Sequence, residues 1–222
     1  EPMLDPRTMT QIAQAAVAGG AAGIRGKGLE DLRQMRAALD VPVIGLVKVG
    51  DEGVYITPTL ADAIEVADTG CEIVALDGTR RERPDGRTLA ETITELKAAR
   101  PGILVMADCG SATDADAAQA GGADLLGTTL AGYTGERPRT PGPDWDCLAE
   151  VIDLARVPVI AEGRMYAPTD AARAIAMGAW SVVVGTAITH PTTITGWFAT
   201  AVDDVAGDDA EGQRAEEQGG GA

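Results

Sequence analysis

The chain has little of what metal centres and disulfide scaffolds require. It contains one histidine, His190, and three cysteines, Cys71, Cys109 and Cys147, which form no Cys-x-x-Cys pair. A histidine-ligated metal site therefore has too few ligands, and a Ser-His-Asp triad can use only His190. An odd number of scattered cysteines also disfavours disulfide bonds. These scarcities favour a cytoplasmic protein without a histidine-ligated metal site.

Aromatic residues, long apolar runs and basic clusters are scarce as well. Aromatic residues make up 3% of the chain, so the core must be aliphatic. No apolar run reaches the ~18 residues that a membrane-spanning helix needs. The formal net charge is −16, whereas phosphate backbones are bound by clustered Lys and Arg. The sequence therefore predicts no membrane partner and no nucleic-acid partner.

Short apolar runs, separated by segments of helical periodicity, make up most of the chain. The run 41–48 and its near copy 157–164 are both entered through a proline and both end in charged residues. Such runs are typical of strands that are buried on both faces of a parallel sheet. The predicted strands are 21–25, 41–48, 72–77, 102–108, 123–129, 157–162 and 181–185. The predicted helices are 8–19, 29–39, 59–69, 89–99, 113–120, 145–154, 169–177 and 193–205.

The order of these elements predicts an α/β fold, a TIM (β/α)8 barrel rather than an open sheet. Strands entered through glycine alternate with strands entered through proline, as expected when alternate strands supply the layers of a barrel interior. Seven strands are counted, and the alternation predicts an eighth before Thr8, so we expect strand 1 to be missing. Residues 1–206 are predicted to form one barrel domain, and 207–222 a disordered, acidic, glycine-rich tail.

The carboxyl ends of the predicted strands carry polar and charged residues. In a parallel barrel these ends meet on one face, where chemistry is done. Gly163 and the pair Gly185-Thr186 follow the last two strands, which are the usual phosphate-binding positions of this barrel. The strand-end residues are Arg25, Lys48, Asp77, Asp108, Thr128, Thr129, Glu162, Gly163, Arg164, Gly185 and Thr186.

Lys48 and Glu162 are the candidates for proton transfer. Lys48 is one of only three lysines, and partial burial with neighbouring cations would make it a usable base. The alternative is a lysine that forms a rim ion pair with Asp108 or Glu162. A carboxylate opposite a lysine is the minimum needed to move a proton beside a carbonyl, although a plain salt bridge is again the alternative.

Nine segments, in their order and spacing, resemble the bacterial N-acylglucosamine-6-phosphate 2-epimerases, also called N-acetylmannosamine-6-phosphate 2-epimerases. The resemblance runs from about residue 9 to residue 201. The segments are 19–25, 42–48, 56–59, 75–79, 81–84, 106–108, 127–134, 160–164 and 184–189.

This resemblance implies a barrel of the ribulose-phosphate-binding type that inverts C2 of N-acetylmannosamine 6-phosphate, a step of sialic acid catabolism. It implies proton abstraction next to the aldehyde of the open-chain sugar, without a cofactor, and it leaves a homodimer open. Lys48 would transfer the proton, Glu162 would be the partner acid/base, and Asp108 would orient Lys48 or the sugar hydroxyls. The implied substrate-binding residues are Arg25, Asp77, Thr128 and Arg164, and the phosphate-binding residues are Gly163, Gly185, Thr186 and His190.

The chain departs from the family pattern in two places. The glutamine-bearing segment that ends strand 1 in the family is missing. The family usually has an arginine before the proline where this chain has Thr189-His190-Pro191. That arginine is a phosphate ligand, so we expect His190 to substitute for it, charged only below about its reference pKa of 6.5, with Arg164 contributing.

Other readings of the same residues stay open. A ribulose-phosphate epimerase-like enzyme needs more histidine ligands than the chain has, and a thiamin-phosphate synthase-like barrel has a different acidic arrangement. A barrel aldolase would form a Schiff base on Lys48 that borohydride traps. A catalytically impaired sugar-phosphate binder would bind the substrate without exchange of the C2 proton.

Overall fold

The computed structural model describes the backbone of residues 3–219 and the side chains of residues 3–205. The chain divides into two compact units, Glu1–Val184 and Gly185–Ala222, each of which is described by itself. No helix within residues 3–219 is both long and apolar enough to cross a membrane.

The first unit alternates strands and helices from one end to the other. Its strands are β1 Ile24–Lys27, β2 Val43–Leu46, β3 Ile73–Asp77, β4 Leu104–Asp108, β5 Leu125–Gly127, β6 Val159–Glu162 and β7 Ser181–Val183. Its helices are α1 Pro6–Ala18, α2 Leu29–Ala38, α3 Leu60–Ala67, α4 Leu89–Ala99, α5 Ala112–Ala120, α6 Trp145–Leu154 and α7 Pro168–Met177. The second unit contains α8 Thr186–Thr189 and α9 Pro191–Gly219.

The seven described strands form one parallel sheet in chain order, from β1 to β7. Strands in a flat sheet lie about 4.8 Å apart, so β1 and β6 would be separated by about 24 Å. Arg25 on β1 nevertheless donates a hydrogen bond of 2.8 Å to Glu162 on β6. The sheet is therefore curled into a nearly closed barrel, which confirms the predicted fold class. The strand that we expected ahead of Thr8 stays an expectation.

Local signals explain where several helices begin. Asp5 accepts a hydrogen bond from the backbone of Thr8, and Pro6 fills the first turn, so α1 begins two residues before the predicted start at residue 8. Thr59 caps α3 as predicted, in a reciprocal capping box with Asp62.

The apolar core has two parts, which lie on the two faces of the sheet. The larger part packs the strands against the helices. The smaller part fills the barrel interior and consists of Leu46, Ile56, Ala75, Met106, Leu125, Leu130 and Ile160. Side chains alternate between faces along a strand, so the residue two positions after each interior residue also points inward. This rule places Lys48, Asp77, Asp108 and Glu162 above the interior cluster, at the carboxyl ends of their strands.

Several predicted boundaries are too long. The predicted strand 41–48 is shortened to Val43–Leu46, because the chain turns back beyond Leu46 and Lys48 pairs antiparallel with Ile56. The predicted strand 123–129 is shortened to Leu125–Gly127, because the chain turns after Gly127 and Ala131 bonds back to Thr128.

The last part of the chain also differs in detail from the prediction. Strand 181–185 ends at Val183, and the short helix Thr186–Thr189 was not predicted. The helix predicted over 193–205 is Pro191–Gly219. The predicted disordered tail, 207–222, lies outside the residues whose side chains are described, so the tail and the domain limit at 206 stay predictions.

Candidate active site

A buried cluster of one cation and two acids lies at the carboxyl ends of β4 and β6. Asp108 and Glu162 end those strands, whereas Arg25 reaches them from within β1 and is not the strand end that was predicted. The Arg25 guanidinium donates to both oxygens of Asp108, from Nη1 at 2.8 Å and from Nη2 at 2.5 Å. Arg25 Nη1 also donates to Glu162 Oε2 at 2.8 Å. The exposed fractions of the side chains are 9% for Arg25, 0% for Asp108 and 16% for Glu162. One guanidinium therefore serves two carboxyl groups in a site that is largely shielded from water.

Asp108 accepts more hydrogen bonds than Glu162 does. It accepts the two-pronged contact from Arg25, and Thr129 Oγ1 donates to its Oδ1 at 2.8 Å. Paired charges of this kind are stabilised when both partners have their hydrogen bonds. Burial alone would lower the pKa of Arg25, but the attraction of Asp108 and Glu162 outweighs burial and raises it. The arginine thus stays charged and neutralises one carboxylate.

Glu162 is the acid whose pKa is raised. Burial raises the pKa of Glu162 to about 7; Arg25 lowers it in part, and the negative charge of Asp108 raises it. A single guanidinium cannot offset two buried negative charges, so the less satisfied carboxyl group titrates near neutrality. A carboxyl group that titrates close to the operating pH is suited to general acid–base catalysis.

Lys48 lies in a small antiparallel ribbon, which we call the Lys48 ribbon, formed by residues 47–49 and 55–57. Val49 N donates to the Tyr55 carbonyl at 3.0 Å, and Thr57 N donates to the Val47 carbonyl at 2.8 Å. The Lys48 Nζ atom lies 5.5 Å from the centre of the Tyr55 ring. Lys48 is exposed rather than partly buried as expected, and its positive charge is close enough to lower the pKa of Glu162. A solvent-accessible lysine and an acid with a raised pKa therefore lie at one barrel mouth.

The comparisons with known proteins agree with this arrangement. A family model described as "Putative N-acetylmannosamine-6-phosphate epimerase" matches residues 9–204.

The chain belongs to the N-acetylmannosamine-6-phosphate epimerase family.

A Cutibacterium acnes protein named "Putative N-acetylmannosamine-6-phosphate 2-epimerase" is 56% identical over 205 residues, which cover 91% of this chain and 89% of that protein. The solved structure of the N-acetylmannosamine-6-phosphate 2-epimerase from Clostridium perfringens is 36% identical, with a TM-score of 0.87, over 90% of this chain and 88% of the other. Thiamine phosphate pyrophosphorylase from Pyrococcus furiosus, at 18% identity and a TM-score of 0.56 over 80% of this chain and 79% of its own, shares only the fold.

Two further residues predicted for this epimerase site, Asp77 and Thr128, bond to protein groups. Asp77 is fully buried; one carboxylate oxygen accepts from the backbone and hydroxyl of Thr79, and the other accepts from Arg81. Thr128 Oγ1 accepts from the Glu162 backbone N–H at 3.0 Å and donates to the Glu162 carbonyl at 2.9 Å. In this structure Asp77 orders the loop after β3, and Thr128 fixes the backbone of Glu162. Their predicted contacts with substrate stay predictions.

Gly163 and Arg164 follow Glu162 directly. Gly163 has φ +115°, a conformation that favours glycine, and the space where a Cβ would lie is open to 3.8 Å. Arg164 is buried and uses all three guanidinium nitrogens on the loop after β5, donating to Ala131 O, Thr140 Oγ1 and Gly142 O. Arg164 therefore clamps that loop, and its predicted role toward substrate stays a prediction.

Gly185, Thr186 and His190, which were predicted to bind phosphate, all lie in the second unit. Gly185 and His190 are the capping residues of α8, and Thr186 is its first residue. The His190 Nδ1 atom lies 2.6 Å from the Thr193 hydroxyl oxygen. The predicted phosphate role of these residues stays a prediction.

The structure brings three further residues to the site of this epimerase. Thr129 contacts Asp108, Tyr55 lies beside Lys48, and Arg83 bonds to the Lys48 ribbon. The sequence indicated Thr129 as a strand-end residue without a role and did not single out the other two. Tyr55 and Arg83 lie in predicted loops, where no periodicity indicates direction.

Proposed function

We propose that the chain interconverts N-acetylmannosamine 6-phosphate and N-acetylglucosamine 6-phosphate by removing and returning the proton on C2. The observation that carries this proposal is the pairing of an accessible amine, Lys48, with a carboxyl group, Glu162, whose pKa is about 7. Family membership supports the choice of substrate. The place of the reaction in sialic acid catabolism rests on the same support.

The first proposed step is opening of the sugar ring. Protonated Glu162 donates to the ring oxygen while the C1 hydroxyl gives its proton to solvent water, which leaves an aldehyde at C1 and an acidic C–H bond at C2. Lys48, which is exposed and can give its ammonium proton to solvent, then accepts the C2 proton as the free amine, and the electrons of that bond move toward the carbonyl oxygen to give an enediolate. The positive charge of Arg25 lies close to the mouth and stabilises the negative charge that develops on the enediolate.

The second proposed step returns the proton from the Lys48 ammonium to the opposite face of C2, once the enediolate has turned that face toward Lys48. The carbonyl reforms and C2 is inverted. On ring closure the sugar hydroxyl gives its proton to Glu162, and the C1 oxygen takes one from solvent water. No electrons are lost or gained overall, so the reaction is an isomerisation. Asp108 takes no proton in this scheme, because it holds Arg25 in place through two hydrogen bonds.

The test is incorporation of solvent deuterium at C2 of N-acetylmannosamine 6-phosphate, followed by NMR. We expect Lys48→Ala to reduce exchange by about 10²- to 10⁴-fold while the fold is kept. Lys97→Ala is the matched control, since Lys97 bonds to the Gly122 carbonyl and to Asp124, at the amino end of β5 and away from the mouth. Retained exchange in Lys48→Ala would refute the role of Lys48.

Borohydride treatment and the deuterium assay together distinguish the two alternative functions. A Schiff-base aldolase would be inactivated by borohydride in the presence of substrate, with the label on Lys48. An impaired sugar-phosphate binder would bind the substrate with no deuterium at C2.

We also propose a cytoplasmic location, which the three free, buried cysteines support because disulfide bonds are rare in that compartment. Within residues 3–205, no group of three or more His, Cys, Asp or Glu side chains is placed to hold a metal ion. The cofactor-free reaction, the homodimer and the absence of a nucleic-acid partner stay predictions.

A further inference from the structure

The Lys48 ribbon depends on Thr57 for its shape. The Thr57 backbone donates to the Val47 carbonyl at 2.8 Å, and its hydroxyl oxygen accepts from Val47 N at 3.3 Å. Both contacts hold the residue directly before Lys48. The position of the lysine backbone is therefore set by Thr57 rather than by the main sheet, where β2 ends at Leu46.

Thr57 has a backbone conformation that its own chemistry disfavours. Its φ is +43°, and it is a fully buried β-branched residue. Left-handed backbone conformations are uncommon for any residue other than glycine and are an outlier for β-branched residues. Such a conformation persists only where the surrounding structure imposes it.

Arg83 supplies that constraint from the loop after β3. Arg83 Nη2 donates to the Thr57 carbonyl at 2.8 Å, and Nη1 donates to the Asp77 carbonyl at 2.9 Å. The guanidinium thus ties the Lys48 ribbon to the end of β3. It reinforces a second tie at the same place, where Asp77 N donates to the Ile56 carbonyl at 3.0 Å.

The burial of Arg83 shows that this contact is more than the packing of a surface loop. Its side chain is buried, and its Nε atom has no hydrogen-bond partner in the described part of the chain. Burial lowers its pKa, with Asp77, Asp85 and Asp62 acting in the opposite direction. Burying a cation costs hydration free energy, which its contacts with the protein must offset. A neutral donor would hydrogen-bond to the two carbonyl oxygens without that cost. The fork shape of arginine is what lets one side chain bridge two strand ends.

We propose that Arg83 is a positioning residue for Lys48: by holding Thr57 in its left-handed conformation, it fixes the Lys48 ribbon and the direction from which the amine approaches C2. The inference rests on the proposed role of Lys48 in proton transfer. Arg83 itself touches neither the acids nor the amine. Its removal should therefore slow the chemical step while leaving substrate binding nearly intact.

The test compares Arg83→Met and Arg83→Lys with Arg87→Met in the C2 exchange and epimerisation assays. Arg87 belongs to the same loop but pairs with Asp85 and Glu95, away from Thr57. Because misplacing a catalytic group by about 1 Å can cost about 10²-fold, we expect kcat of Arg83→Met to fall by about that factor, with KM within about twofold. Arg83→Lys, which can reach only one of the two carbonyls, should be intermediate, and Arg87→Met should match the parent.

A double variant checks that the effect passes through Thr57. Glycine adopts a positive φ without strain, so Thr57→Gly removes the need for an external constraint. If Arg83 acts through Thr57, Arg83→Met combined with Thr57→Gly should recover part of the activity that Arg83→Met loses. A double variant that is no more active than Arg83→Met would overturn the inference.

A second measurement does not depend on activity. Amide hydrogen exchange of Thr57 and Val49 reports the two hydrogen bonds that flank Lys48, and both amides should lose about tenfold protection in Arg83→Lys. Unchanged protection, or a loss of kcat that Arg87→Met shares, would overturn the proposal.

If the parent protein shows no C2 exchange, the proposed function fails, whereas the amide measurement still decides whether Arg83 orders the Lys48 ribbon. If Arg83→Met does not fold, Arg83→Lys provides both measurements.

Discussion

Replacing Glu162 with glutamine tests the electrostatic argument for the site. In the folded chain the pKa of Glu162 is raised from an ordinary value of 4.5 to about 7. The folded state therefore holds a proton between these pH values that the unfolded state has already lost. Stability from this group is fully present below about pH 4.5 and is lost as the pH rises through about 7.

The size of the effect follows from the shift. A difference of about 2.5 pH units, at 1.36 kcal/mol for each unit, is worth about 3 kcal/mol. Glutamine resembles the protonated acid and does not ionise. The free energy of unfolding of Glu162→Gln, relative to that of the parent, should thus rise by up to about 3 kcal/mol between pH 4.5 and pH 8.

Urea denaturation at several pH values, with the same chain concentration throughout, measures this difference. Glu91→Gln is a control of opposite sign, because hydrogen bonds from Thr88 lower the pKa of Glu91. That variant should lose stability relative to the parent as the pH rises through the range where Glu91 ionises. A difference between Glu162→Gln and the parent that does not change with pH would refute the reasoning about the buried cluster.

The same pKa predicts how catalysis depends on pH. If protonated Glu162 opens the ring, kcat/KM of the parent should fall about tenfold for each pH unit well above 7. Glu162→Gln should lose this pH dependence together with about 10²- to 10⁴-fold of the rate. A parent profile that is level from pH 6 to pH 9 would show that the acid form of Glu162 is not required.

Two further predictions concern the loops around the mouth. Gly78→Ala should lower the free energy of unfolding by about 1–3 kcal/mol in urea denaturation, because the added Cβ would lie 2.8 Å from the Ala107 Cβ. Gly142→Ala is the control and should leave stability unchanged, because its Cβ would meet no atom within 4 Å. Arg164→Met should increase proteolytic cleavage of the loop after β5, since three hydrogen bonds to that loop are lost, and Arg156→Met, at an exposed position, should not. Equal cleavage of the two arginine variants would contradict the clamp.

Much of the fold could be predicted because it depends on local patterns. The helices Leu89–Ala99 and Trp145–Leu154 were predicted with the boundaries that the structure shows. Both have cap residues directly before them, Thr88 and Asp144, and clear apolar faces. The strands were found as apolar runs, and their period of two places the strand-end acids on the interior face.

The features of the site that could not be predicted from the sequence depend on contacts between residues that are distant in the chain. The sequence allows Asp108 and Glu162 to pair with either Lys48 or Arg25, and only the curled sheet shows that Arg25 reaches both. The sequence likewise shows an arginine at 164 after a strand end, but not that its side chain turns toward the loop after β5. Charge and spacing identified which residues gather at the mouth, but the choice of partner required three-dimensional geometry.

Arg25 has a consequence for how variants of this protein are interpreted. The same side chain joins β1 to β4 and β6, so it brings together strands that are not neighbours in the sheet. A substitution at Arg25 therefore changes the curvature of the barrel and the charge at the mouth together. A library randomised at this position would select first for closure of the sheet and only then for turnover. Loss of activity at Arg25 is consequently informative about chemistry only in variants whose barrel has been shown to remain closed.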